Sequence, residues 1–219
     1  GDVLWLPASS GGDCPEFEWA LAADAEGVLL TGEPGFIPLS AASTVITETT
    51  TGQTIEVTGF DPSNVPFHNL MYQPTRSVEV VGDEVWVAEA LAPRVARIDR
   101  ISGETKGSIA VGPWPTSIAY DPSLNLVAVT HAGNDTLGLI DVETGQIVDA
   151  IWVGDEPSTV VVDSTTSLAY VTLETKHVVA VVDLTERTVT ERLDGPRGPR
   201  ALSLTDDGTL VVAGHRTGQ

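Results

Sequence analysis

The chain has 219 residues, 42% of them apolar, with 31 acidic against 11 basic side chains and a formal net charge of -20. That length can bury a sizeable core, and the apolar content excludes an acidic disordered tail. The charge excludes a nucleic-acid partner and binding to an anionic membrane surface, and no apolar run approaches the roughly 18 residues of a membrane span.

In chain order, the first six residues lack the charged and apolar regions of a secretion leader, and the last four form no terminating element. Both ends read as cuts through a longer pattern. Short runs rich in Val and Ile follow one another, separated by Gly, Pro, Asp and Asn, and predict strands. The N-terminal runs are 3–6, 16–23 and 28–31, and a later one is 65–72. The clearest set is 116–120, 125–130, 136–141 and 147–153. The last two are 201–204 and 210–214. No apolar period of 3.6 residues persists, so helix is expected to be nearly absent.

These runs repeat. Residues 127–157 align without a gap on 169–199 at an offset of 42, and 85–115 align on them at the same offset. Asp99, Asp141 and Asp183 fall in register, as do Gly103 and Gly145. Turn prolines recur at Pro34, Pro74, Pro115, Pro157 and Pro199. Four strands in a unit of about 40–45 residues is the arithmetic of a β-propeller blade. The fold expected is therefore all-β, a propeller of four-stranded blades, with about five and a quarter blades in this chain. The division expected is a partial blade over 1–33, blades over 34–73, 74–114, 115–156 and 157–198, and a partial blade over 199–219. An open propeller exposes sheet edges and an apolar face. The remaining blades are expected from the same polypeptide or from a second chain.

The second strand of each unit reads Val127-Ala128-Val129-Thr130-His131, Ala169-Tyr170-Val171-Thr172-Leu173 and Val211-Val212-Ala213-Gly214-His215. The third is typified by Leu137-Gly138-Leu139-Ile140-Asp141-Val142-Glu143-Thr144-Gly145. The connectors read Val111-Gly112-Pro113-Trp114-Pro115 and Val153-Gly154-Asp155-Glu156-Pro157. Over residues 75–219 this resembles the YVTN family of β-propeller repeats, with the signature's final Asn replaced by His131, Leu173 and His215. The resemblance implies seven blades, a location outside the cytoplasm (periplasmic, secreted or cell surface), and a use ranging from binding module to redox enzyme.

With the strands of a blade named A to D from the axis outward, the D-to-A connectors and B-to-C loops open on one face. That face is where a propeller is expected to bind. Its candidate ligand or partner residues are Trp114, Thr116, Glu156, Ser158, Arg197 and Arg200. Trp114 is expected to be exposed there. Arg197 and Arg200 are expected to pair with Asp155 or Glu156. Three histidines, His131, His177 and His215, are placed in B-to-C loops, either as surface residues or as imidazole ligands for copper or zinc. His131 and His215 lie two blades apart, so sharing one metal needs loops folded over the channel. His68 and Met71 are too weak a pair to name a centre. Trp5 and Trp86 are expected between blades, and Cys14 is a lone loop thiol.

The chain contains no Gly-x-Ser-x-Gly, His-Glu-x-x-His, phosphate loop or Cys-x-x-Cys-His. No catalytic residue is named. The function expected is an extracytoplasmic propeller serving as a binding or scaffolding platform, without cofactor, for a protein partner or small ligand. The alternative is the propeller part of a copper- or haem-dependent redox enzyme. On the first reading, alanine at His131 or His215 leaves stability unchanged.

Overall fold

The computed structural model describes residues 21–23, 29–32, 42–48, 54–60, 75–89, 93–205 and 207–214, with side chains from residue 77 onward. Every regular element among them is a strand. The first sheet orders β1 (Leu21–Ala23), β2 (Leu29–Gly32), β3 (Ala42–Glu48) and β4 (Thr54–Phe60). The second orders β5 (Thr75–Val81), β6 (Glu84–Glu89), β7 (Arg94–Asp99) and β8 (Thr105–Ala110). The third holds β9 (Pro115–Asp121), β10 (Leu126–His131), β11 (Thr136–Asp141) and β12 (Gln146–Trp152). The fourth holds β13 (Pro157–Asp163), β14 (Leu168–Leu173), β15 (Val178–Asp183) and β16 (Thr188–Asp194). A two-stranded sheet, β17 (Pro199–Leu204) with β18 (Leu210–Gly214), follows.

All pairings are antiparallel meanders, and the first strands β1, β5, β9, β13 and β17 lie side by side in succession. This is a β-propeller, with four four-stranded blades and half of another among the described residues. The expected break after residue 33 is not one: β2 pairs with β3 across it, so β1 and β2, in the runs 16–23 and 28–31, belong to the same blade as 42–60. The count of five and a quarter blades came from treating Pro34 as a connector proline. Pro34, Pro74, Trp5, Cys14, His68, Met71, His215 and the runs 3–6 and 65–72 lie outside the described residues.

Packing follows from the period of two in each strand. Side chains of one parity face the preceding blade and those of the other parity face the next. Trp86, Ala88 and Val95 of the second blade meet Ile118, Val127, Val129 and Ile140 of the third. Ala128, Leu137 and Leu139 of the third meet Val160, Ala169, Val171 and Val182 of the fourth. Each buried Val, Ile or Leu contributes about 1.5–3 kcal/mol, so most of the stabilisation lies between blades. Trp86 is fully buried and roofed by the Arg97 guanidinium, 5.3 Å from its ring centre.

The inner strands are also bolted by hydroxyls. Ser77 Oγ accepts from Ile118 N–H at 3.3 Å, and Ser117 Oγ accepts from Val160 N–H at 3.2 Å. One blade further on, Thr159 Oγ1 donates to the Arg200 carbonyl. On the outer side, Asp99 and Asp141 begin the turns between third and fourth strands and accept local N–H groups. These bonds, with Lys106 also on Asp99, hold both carboxyls below the usual range. The fifth turn residue is left-handed in the second, third and fourth blades: Gly103, Gly145 and Arg187, at φ 74, 66 and 55. Glycine takes that region without steric cost; Arg187 does not.

Candidate functional site

One face collects the connectors 111–114, 153–156 and 195–198 with the turns 132–135 and 174–177. Each connector ends on a left-handed residue just before a proline: Trp114 at φ 53, Glu156 at φ 52 and Gly198 at φ 62. For the two non-glycine residues this conformation costs about 1–2 kcal/mol. Something must hold it, and the hydrogen bonds show what does.

The turn 132–135 is a strut between two connectors. Ala132 N–H donates to the Trp114 carbonyl at 2.9 Å and Gly133 N–H to the Pro113 carbonyl at 3.1 Å. On its other side, Asp135 Oδ1 accepts from Glu156 N–H at 3.1 Å, and the Asp135 carbonyl accepts from Val153 N–H at 3.0 Å. The next blade repeats the second half of this device. His177 stands where Asp135 does, with φ 60 against 63. Its Nδ1 accepts from Gly198 N–H at 3.1 Å, and its carbonyl accepts from Gly195 N–H at 2.9 Å. Accepting at Nδ1 places the ring proton on Nε2. The other tautomer turns Nδ1 to the Glu174 carbonyl, also at 3.1 Å.

His131 is not a loop residue. It ends β10 and is 1% exposed. Its Nε2 accepts from Gly112 N–H at 3.2 Å, so Nδ1 carries the proton and donates to Thr136 Oγ1 at 3.0 Å. That hydroxyl in turn donates to Asn134 Oδ1 at 2.9 Å. Burial lowers the imidazole pKa to about 4. The ring is clasped by two glycines: a Cβ at Gly112 would stand 2.7 Å from it, and one at Gly138 2.5 Å. His131 and His177 thus carry different connectors. No group of three His, Cys, Asp or Glu converges among the described residues.

The remaining candidates divide into two sets. Thr116 Oγ1 lies 2.8 Å from Thr130 Oγ1 and donates to the Pro157 carbonyl at 3.0 Å. Ser158 Oγ lies 2.8 Å from Thr172 Oγ1, which also accepts from Thr159 N–H. These hydroxyls knit inner strands together. By contrast Trp114 is 55% exposed, and Glu156, Arg197 and Arg200 are exposed as well. The Asp155 carboxylate takes Lys176 at 3.0 Å and Thr175 at 3.1 Å, where an arginine partner was expected. The strut role of Asp135 was missed by sequence reasoning. Its one signal was the alignment of Asp135 on His177 at the offset of 42.

No protein-family model matches the chain, and comparison with curated proteins gives no match. Solved structures do resemble it. Kuenenia stuttgartiensis hydrazine synthase aligns with TM-score 0.62 and 22% identity, over 67% of this chain and 43% of that one. Virginiamycin B lyase from Staphylococcus aureus aligns with TM-score 0.65 and 16% identity, over 89% of this chain and 62% of that one. A streptogramin B lyase structure gives TM-score 0.65 and 13% identity, over 89% and 61%. This chain therefore spans between 43% and 62% of the length of these structures, and the likeness is one of fold.

Proposed function

We propose that this propeller is a binding or scaffolding platform of the YVTN kind, working outside the cytoplasm, whose partner docks on the face of connectors 111–114 and 153–156. The blades perform no chemistry in this reading. The half blade β17–β18 is completed by further strands of the same polypeptide or of a second chain; Val211 is 50% exposed on it.

One observation carries the proposal. Trp114 and Glu156 are exposed on connectors whose backbone is tied to one strut and held left-handed. A side chain kept in a costly conformation and presented to solvent is a recurrent mark of recognition surfaces. The test is a photo-crosslinking residue at Asn134, on the strut, or at Glu186, on the opposite face, in the native full-length protein. Partner adducts at 134 and none at 186 are expected. The reverse pattern overturns the proposal.

The redox alternative has one observation on its side: two imidazoles, His131 and His177, bond connectors of this same face. Elemental analysis and a visible spectrum of natively purified protein decide it. Stoichiometric copper or haem replaces the platform reading.

A further inference from the structure

We infer that the Trp114–Glu156 side of this face recognises a cationic segment of a protein partner, one presenting Arg or Lys side chains. The inference rests on the platform reading and names its partner class.

Three features support it. First, Trp114 and Glu156 belong to one rigid unit: the strut 132–135 bonds to both connectors, and Thr116 Oγ1 bonds across to the Pro157 carbonyl. The main chain that carries the ring and the carboxylate is therefore already fixed on neighbouring connectors, so little backbone is left to order on binding. Second, the pairing of chemistries is selective. An exposed indole face attracts a guanidinium or ammonium, and a neighbouring carboxylate supplies the opposite charge. Asp135 adds a second carboxylate, with Oδ1 engaged by Glu156 N–H. Third, the sign of charge varies around the rim. The next connector carries the exposed Arg197, and Asp155 between the two regions is neutralised by Lys176. A cation is thus drawn to the Trp114 side in preference to the other. The net charge of -20 steers the same class of partner in from a distance and disfavours a second copy of this chain as occupant.

The probe is a hexa-arginine peptide with blocked ends, titrated calorimetrically against the full chain at about 0.15 M salt, where exposed long-range charge effects are largely screened. A Gly-Ser peptide of equal length is the blank. Trp114→Gly should weaken binding roughly tenfold and Glu156→Gln roughly threefold, the range of a cation–aromatic contact and of one exposed ion pair. Glu186→Gln, on the opposite face, should change it less than about twofold. Glycine is at ease where Trp114 sits, so the first variant keeps the fold. Unchanged binding by Trp114→Gly overturns the inference, and so does an equal loss with Glu186→Gln, which would mean that only net charge is read. Partner adducts at Asn134 that survive Trp114→Gly would sink the cationic inference and leave the platform standing. Their absence in the unsubstituted protein would sink both.

Discussion

The third and fourth blades solve the same problem with different side chains. In each, the last residue of the second strand must support the connector arriving from the blade before. In the third blade that residue is His131, which bonds Gly112 N–H and leaves no room for a Cβ at Gly138. In the fourth it is Leu173, and the position matching Gly138 is Ala180. There Leu173 shares a core cluster with the connector residue Val153, and a Cβ added at Gly154 would stand 3.0 Å from Leu173 Cδ1. The Val153 carbonyl is bonded instead by Arg192 Nη1 at 2.7 Å, whose guanidinium also covers Trp152. One backbone is thus supported from below by a hydrogen bond to a buried ring in one blade, and by an apolar contact plus an outer arginine in the next. Support is what the fold requires, and the chemistry of the supporting group is free to vary.

The comparison can be broken most sharply at His131. His131→Ala removes a buried ring and orphans Gly112 N–H; a loss of about 4 kcal/mol is expected in urea unfolding. A loss below about 1 kcal/mol would mean that the connector supports itself.

Acid should separate the two blades next. The His131 pKa is lowered to about 4, from 6.5, because burial penalises the cation. The unfolded chain then binds the extra proton first, so stability falls as pH drops from 6.5 to 4, by about 3 kcal/mol. Glu79, on the inner strand β5, acts in the opposite sense. Burial raises its pKa from 4.5 to about 7, so its contribution is present below pH 4.5 and is lost as pH rises to 7. The two slopes oppose each other between pH 4.5 and 6.5. In His131→Leu, stability should fall with rising pH across that window, and in Glu79→Gln it should rise. Parallel slopes in the two variants would refute this account.

A smaller effect tests the coupling itself. Gly138→Ala should cost about 2 kcal/mol, because its Cβ overlaps the His131 ring. In a His131→Leu background the cost should shrink below about 0.5 kcal/mol, since Leu173 and Ala180 already coexist one blade on. A double-mutant cycle with no coupling would show that the glycine serves something other than the ring.

The smallest expected change is a gain. Trp114→Gly relieves a left-handed conformation at φ 53 and should raise stability by up to about 1 kcal/mol, while it weakens binding on that face. A loss of stability would show instead that the ring packs for the fold.

Much of the fold was readable because the repeat is covalent information. Asp99, Asp141 and Asp183 begin equivalent turns, and Pro115, Pro157 and Pro199 open equivalent strands, as their spacing predicts. Strand limits in the third blade came within about two residues. The N-terminal blade was divided wrongly because its sequence lacks that register, so a proline was the only marker, and prolines also occur within blades. The candidate face was readable in part. Trp114 and Glu156 are exposed on it, but Thr116 and Ser158 look alike in sequence whether they face a ligand or a neighbouring strand. Hydroxyl groups satisfy either role.

By itself the sequence determined the period, the strand signals, the turn chemistry and the charge, all of which depend on residues near each other in the chain. Tertiary structure alone decided which strands share a blade, that His131 is an interior support, and that His177 takes the strut bond to the Gly198 N–H. Those outcomes depend on groups brought together across connectors and between blades. The same imidazole is a ligand, a loop residue or a buried acceptor according to whether Gly112 and Gly138 close over it.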